Sequence, residues 1–314
     1  MPHFNPSTCI EVGPAPGFPN LTCTIQGTLY GYAPSLAANA FFIAFFALCL
    51  IIQLVLGIKY KTWTYMIALG FGCLGETIGY IGRIMLHNDP FSGLGFQIQI
   101  CCLIICPAFI SGGIYLTLKH IVLNFGQNWS RLRPTWYTYI FITGDIFSLV
   151  LQGAGGGIAA TADNGSTGQD LGTDLMIAGV VFQVVVLAFF GVATVEYAMR
   201  CHRHRGEWLP ESHTLYHDSK FRAFCGAILL AYTCILIRCA YRIPELTGGW
   251  GSDLMRNQAE FIGLEGVMIV LAVLGLTVCH PGYCFPAMSN TIGSSSRREK
   301  VPSRHSGDEM KVLA

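Results

Sequence analysis

Charge is what this sequence has least of. Only 12% of its 314 residues are Asp, Glu, Lys or Arg, about half the share usual in soluble proteins, while 52% are apolar. The formal net charge is +1, so no global field draws nucleic acid or an acidic partner. Residues 1–34 hold no Lys or Arg and no apolar h-region, which excludes a secretory signal pattern there. No P-loop lysine occurs, which argues against an ATP-driven pump of that type, and neither G-x-S-x-G nor H-E-x-x-H is found. No Lys lies between Phe221 and Glu299, so the last two apolar stretches offer no retinal-type Schiff base. Gly70-Phe-Gly-Cys-Leu-Gly75 matches G-x-G-x-x-G literally, but it sits inside an apolar stretch with no strand before it, which a dinucleotide site requires. No catalytic residue, cofactor or metal site is expected. His202, His204, His213 and His217 have no diagnostic ligand spacing and read as part of a solvated basic loop near anionic lipid.

What is present is a series of apolar stretches of ~20 residues, the length that crosses a bilayer as a helix. They fall at 35–57, 62–84, 96–118, 135–160, 173–199, 221–244 and 259–279. The expected fold is therefore all-α, an integral membrane bundle of seven helices spanning 35–280, with an outer segment 1–34 and a tail 281–314. The 36 glycines follow no Gly-X-Y period and suit close helix packing in lipid. Basic residues fix the expected orientation. One set of connections, with the tail, holds fifteen: Lys59, Lys61, Lys119, Arg131, Arg133, Arg200, Arg203, Arg205, Lys220, Arg222, Arg297, Arg298, Lys300, Arg304 and Lys311. The other set holds Arg256 alone. The N-terminus is thus expected outside and the C-terminus in the cytoplasm. On that side Cys9 and Cys23, the only cysteines of the outer segment, could form a bridge or stay as two free thiols, and Asn20 heads a usable glycosylation sequon.

The informative residues are ionisable groups inside the apolar stretches, each costing ~2.5–3.5 kcal/mol at a helix centre on insertion scales. Glu76, Tyr80 and Arg83 share a helix face at i, i+4 and i+7. Asp145, Ser148 and Gln152 share another, Arg238, Arg242 and Glu245 a third, and Glu265 stands in the last stretch. They read either as ion pairs that lock the bundle or, taken as a cluster, as a substrate-binding site. Their similar depth suggests one polar interior, opening outward and plugged toward the cytoplasm. Pro107 and Pro244 free carbonyls within their helices. Gly75 and Gly79, and the run Gly153–Gly157, allow close helix approach beside the polar groups.

From about Tyr30 to Gly282 the chain resembles the fungal lipid-translocating exporter family, seven-span proteins associated with resistance to toxic sphingoid bases and aminocholesterol. The resemblance rests on Tyr32-x-Pro34-Ser35-x3-Asn39, Glu76-x2-Gly79-Tyr80-x2-Arg83, Pro107-Ala108-Phe109 with Ile114-Tyr115, and Gly144-Asp145-x2-Ser148-x3-Gln152-x2-Gly155-Gly156-Gly157. Arg238-x2-Tyr241-Arg242-x2-Glu245 and His280-Pro281-Gly282 complete it, while Asn257-Gln258 and Pro244 depart from the family pattern. The resemblance implies a plasma-membrane translocase for amphipathic lipid-like cations, with membrane lipids and such a substrate as its partners and no nucleic acid. A lipid sensor with an outward cavity fits the same topology.

The orientation is testable through its sequons. Endoglycosidase treatment should remove glycan from Asn20 alone, and Asn20→Gln should abolish the shift; glycan on Asn128 would contradict the expected orientation.

Overall fold

The computed structural model describes residues 13–15, 18–23, 25, 28, 30–125, 134–161, 167–207, 210–248 and 252–285. A short antiparallel hairpin, β1 (Gly13–Ala15) and β2 (Phe18–Cys23), precedes the helices. The helices are α1 (Leu36–Tyr60), α2 (Trp63–Asn88), α3 (Gly93–Phe125), α4 (Pro134–Thr161) and α5 (Thr167–Arg203). A short α6 (Pro210–His217) leads into α7 (Ser219–Thr247). The last long helix is composite: α8 (Gln258–Glu260), a π-helical segment Phe261–Val267, and α9 (Met268–Val278). A final turn, α10 (Pro281–Cys284), begins on the His280 ring, whose Nδ1 accepts from the Gly282 amide at 3.0 Å.

Six of these helices are long and apolar enough to cross a membrane, so the chain is a multi-pass membrane protein built of helices. The exception is α2. Its 26 residues give it the length, about 39 Å at 1.5 Å per residue, but Glu76, Arg83 and its many glycines lower its hydropathy. It nevertheless packs between α1 and α3 like its neighbours. Large apolar side chains such as Phe41, Ile51, Phe71, Ile146, Val192 and Leu229 face outward, as lipid contact requires.

The packing order is a ring. Sequential helices are neighbours from α1 through α5, α5 then packs on α7, α7 on α9, and α9 returns to α1. Helix α3 is drawn inward: 67% of its apolar stretch is buried, against 28–44% for the other five. It therefore also reaches α7 across the ring. Gln53 Nε2 donates to Thr277 Oγ1 at 3.0 Å, and Tyr65 OH donates to the Leu276 carbonyl at 3.1 Å, pinning α1 and α2 to α9. We call the end where α1 starts the N-terminal end, and the end carrying Lys59, Arg200 and Lys220 the basic end.

Glycine sets the closest approaches, but not uniformly. A Cβ on Gly172 of α5 would stand 2.5 Å from the Ala159 backbone nitrogen and 2.7 Å from the Gly155 carbonyl of α4, atoms that cannot give way. On α2, Gly75, Gly79 and Gly82 fit against Cys106, Leu103 and the Gln99 backbone of α3. The run Gly153–Gly157 leaves α4 unbroken, and only its central Gly155 makes such a contact.

Residues 1–12 and 286–314 lie outside the description, and with them Cys9 and the expected bridge to Cys23; of Asn20 only its place in β2 is described. Asn128 also lies outside it.

Gly172→Ala should destabilise the fold by about 1–3 kcal/mol, as overpacking does, whereas Gly153→Ala, with nothing within 4 Å of the added carbon, should be nearly neutral. Thermal unfolding in detergent compares the two; equal melting would show that the α4–α5 contact is not tight.

Candidate functional site: a buried charge cluster

The polar side chains gather where α2, α7 and the π-helical segment face α3. Pro107 begins the construction. It has no N–H, so the Leu103 carbonyl four residues earlier loses its helical donor. The Arg238 guanidinium of α7 crosses the ring and donates to that carbonyl. The same Nη2 donates to Glu265 Oε1 at 2.7 Å. Arg242, one turn further along α7, donates to the same Glu265 oxygen at 2.6 Å and to Glu245 Oε2 at 3.0 Å. Glu265 is thus the shared counterion of two arginines, and its side chain is 1% exposed.

The π-helical segment explains how Glu265 reaches that place. A π-turn rotates the residues around it relative to an unbroken α-helix, and such turns recur at functional sites. Gly266 lets the segment close on α1, since a Cβ there would meet the Phe42 ring at 2.4 Å. Nothing in the composition of Phe-Ile-Gly-Leu-Glu-Gly-Val marks a π-helix, and sequence reasoning misses it.

Two charged groups on α2 adjoin this triad without joining it. Glu76 is 1% exposed and within electrostatic reach of Arg238, Glu265 and Arg242, yet its Oε1 has no hydrogen-bond partner. Arg83, also 1% exposed, donates to Tyr32 OH at 2.8 Å and places its guanidinium 3.5 Å from the Phe261 ring centroid. Among the described residues neither Glu76 nor Arg83 makes an ion pair. Between them Tyr80 lies against Phe42 and Phe46, its hydroxyl unpartnered. Three arginines and three glutamates balance the cluster, but the balance is uneven: Glu265 and Glu245 are committed and Glu76 is not.

The N-terminal end covers the cluster. The Tyr30 ring lies 5.4 Å from the Arg83 guanidinium, and Gln99 Nε2 donates to Tyr30 OH at 2.8 Å. Tyr30, Met255 and Leu86 form a small apolar lid with Tyr32 and Phe96 packed against it. The expected polar interior opening outward is therefore not observed: Glu76, Arg83, Arg238, Arg242, Glu245 and Glu265 are all buried beneath this lid. Tyr30, Gln99, Met255 and Phe261 carry no charge, and nothing in their sequence context marks them as part of the site.

The expectation of one shared interior also needs correction for α4. Asp145 is bonded not to an arginine but to Ser111 Oγ of α3, which donates to its Oδ2 at 2.8 Å, with Tyr115 beside both. Ser148 donates to the Asp145 backbone carbonyl at 2.7 Å. Gln152 Nε2 donates to Gln183 Oε1 of α5 at 3.1 Å. The α4 face is a second and separate polar seam between α3, α4 and α5. The Asn257 departure from the family pattern caps α8: its Oδ1 accepts from Ala259 and Glu260 amides, and its Nδ2 donates to Glu260 Oε1 at 2.7 Å.

A ring of apolar helices around a buried cluster of charged side chains defines the class, a polytopic helical membrane protein. Comparison with known proteins makes this specific. The family model described as RTA1 like protein matches residues 69–288, and the chain belongs to that family. It is 31% identical over 297 residues to the sphingoid long-chain base transporter RSB1 of Saccharomyces cerevisiae (strain ATCC 204508 / S288c), covering 85% of this chain and 77% of that protein. It is 27% identical over 213 residues to protoporphyrin uptake protein 1 of the same yeast strain, covering 66% of this chain and 65% of the relative. Protein RTM1 of Saccharomyces cerevisiae is 28% identical over 236 residues, with 70% of each chain covered. No solved structure matches the chain.

Removing the shared counterion should cost far more than removing the uncommitted acid. Glu265→Gln leaves two buried guanidinium charges short of a partner and should lower stability by about 3–5 kcal/mol. Glu76→Gln removes no ion pair and should melt close to the parent in detergent. Equal losses would show that Glu76 is structural.

Proposed function

We propose that the chain is a membrane transporter, a translocase for amphipathic lipid-like molecules with a cationic head, such as sphingoid long-chain bases, and that it confers resistance to them at the plasma membrane. The relative named as a sphingoid long-chain base transporter supports the substrate class. The observation that carries the site is Glu76, whose buried Oε1 has no hydrogen-bond partner, beside two arginines already paired with Glu265 and Glu245. An ammonium entering the bundle finds there the counter-charge that Glu265 and Glu245 have already given to arginine. Tyr80 OH, Arg83 Nη1 and Glu265 Oε2, likewise unpartnered, are within the same neighbourhood and suit the hydroxyls or phosphate of a polar head. Asp145 offers a second carboxylate on the far side of α3.

In this reading all seven long helices cross the membrane, α2 included, because its charges face the cluster while its apolar side chains such as Ile67 and Phe71 face lipid. The N-terminus lies outside and the C-terminus in the cytoplasm, in keeping with the fifteen-to-one distribution of basic residues. Residues 1–34 form the outer segment, 35–280 the bundle and 281–314 the cytoplasmic tail. No bond is made or broken, so the chain is not an enzyme. Without an ATP motif, transport runs down a gradient or couples to an ion gradient. Because the lid is closed over the cluster, loading from outside requires Tyr30 and Tyr32 to release Arg83 and Gln99.

Purified protein in liposomes should accelerate transbilayer movement of a labelled sphingoid base. Glu76→Gln should slow it tenfold or more, and Asp145→Asn should slow it less. Saturable binding of the base without any movement by the parent protein would replace transport with lipid sensing.

A further inference from the structure

At the basic end, away from the charge cluster, a cavity of about 930 Å³ lies between α3, α5 and α7. Its walls are apolar, with Ile114 and Leu118 from α3, Phe190 from α5, and Ile228 and Tyr232 from α7. Its mouth opens between α5 and α7, where Val195, Met199 and Leu229 line it and are 55%, 61% and 65% exposed. That surface faces lipid in the bundle described above. The volume is at the upper end of ligand pockets, roughly 300–1,000 Å³. An apolar space of this kind holds hydrocarbon better than water, because water would find few polar partners in it.

The rim decides which hydrocarbon. His202 and Arg203 line the cavity at its basic end, and Tyr216 of α6 lies beside them with the Arg205 guanidinium 4.5 Å from its ring. No lining residue is acidic. The carboxylate of Glu196, about two turns before Arg203, is already held by Arg200 at 2.6 Å. Among the described residues neither His202 nor Arg203 makes an ion pair. Ser212 Oγ donates to the Asn124 carbonyl at 3.0 Å, fixing α6 against the end of α3 and closing the floor.

We infer that this cavity is a binding site for an anionic membrane lipid, its acyl chain between α5 and α7 and its phosphate against His202 and Arg203. Guanidinium groups take phosphate with paired hydrogen bonds, and basic pockets at helix ends select anionic head groups. An ammonium head would be repelled at this rim, so the site is distinct from the one proposed for the transported cation. The two are separated in space as well. The Tyr115 and Phe190 rings, with centroids 4.5 Å apart, and Phe141, 5.0 Å from Phe190, wall the cavity off from the Asp145 seam. The inference does not depend on the transport reading, since it concerns occupancy and not movement.

The test uses full-length protein in nanodiscs doped with phosphatidic acid carrying a photoreactive group in its chain, compared with the phosphatidylcholine of identical chains. Phosphatidic acid should crosslink mainly to peptides covering 190–203 and 221–232, at least fivefold more than phosphatidylcholine. Ala198→Phe, which fills the mouth from its lipid side, should reduce that labelling at least fivefold. Should that variant melt early, Val195→Trp serves as a second filler. His202→Gln with Arg203→Gln should bring phosphatidic acid down to the phosphatidylcholine level. Labelling spread evenly over the outer helix faces, or equal labelling by the two head groups in the parent protein, would overturn the site.

Discussion

Glu265 holding both Arg238 and Arg242 is the interaction on which the interior depends. It joins the last helix to α7, and through Arg238 and the Leu103 carbonyl it joins both to α3. Two unusual backbone features make it possible. Pro107 exposes the carbonyl that takes Arg238, and the π-helical segment turns Glu265 toward the arginines. Buried charges of this kind are expensive in hydrocarbon and persist only when paired and hydrogen-bonded. Their pairing leaves Glu76 and Arg83 as the charges without an ion pair among the described residues, the groups on which the proposed site rests.

Much of this architecture is legible in the sequence, and for clear reasons. Apolar stretches of bilayer length are a strong signal, and the charges within them are conspicuous because so few others exist. The i, i+4, i+7 spacing of Glu76, Tyr80 and Arg83 puts them on one face, and the structure buries all three. Pairing is another matter. Spacing along a helix does not say which helix lies opposite, so Asp145 could be grouped by depth with arginines it does not touch. The π-helical segment has no sequence signature, and the lid depends on Tyr30 and Met255 folding back, a tertiary event. The interior expected to open outward is closed for that reason: Tyr30 and Tyr32, before α1, and Met255, before α8, cover it.

The two ends of the bundle differ in character. The N-terminal end carries the sealed, charge-balanced cluster; the basic end carries an apolar cavity open sideways. Small residues on α2, α4 and α5 hold helix pairs close, whereas α5 and α7 part enough at the basic end to leave space. The aromatic wall of Tyr115, Phe141 and Phe190 stands between the apolar cavity and the nearest polar seam, so a connection between the ends would have to pass through it.

A double-mutant cycle on Arg238 and Glu265 tests the central claim most directly. Arg238→Gln, Glu265→Gln and the double variant are compared with the parent by equilibrium unfolding in detergent. The two changes should be strongly non-additive, with a coupling energy of about 1.5–3 kcal/mol, since contacting groups in one network reach that range. Additivity within about 0.5 kcal/mol, the behaviour of independent sites, would contradict the account.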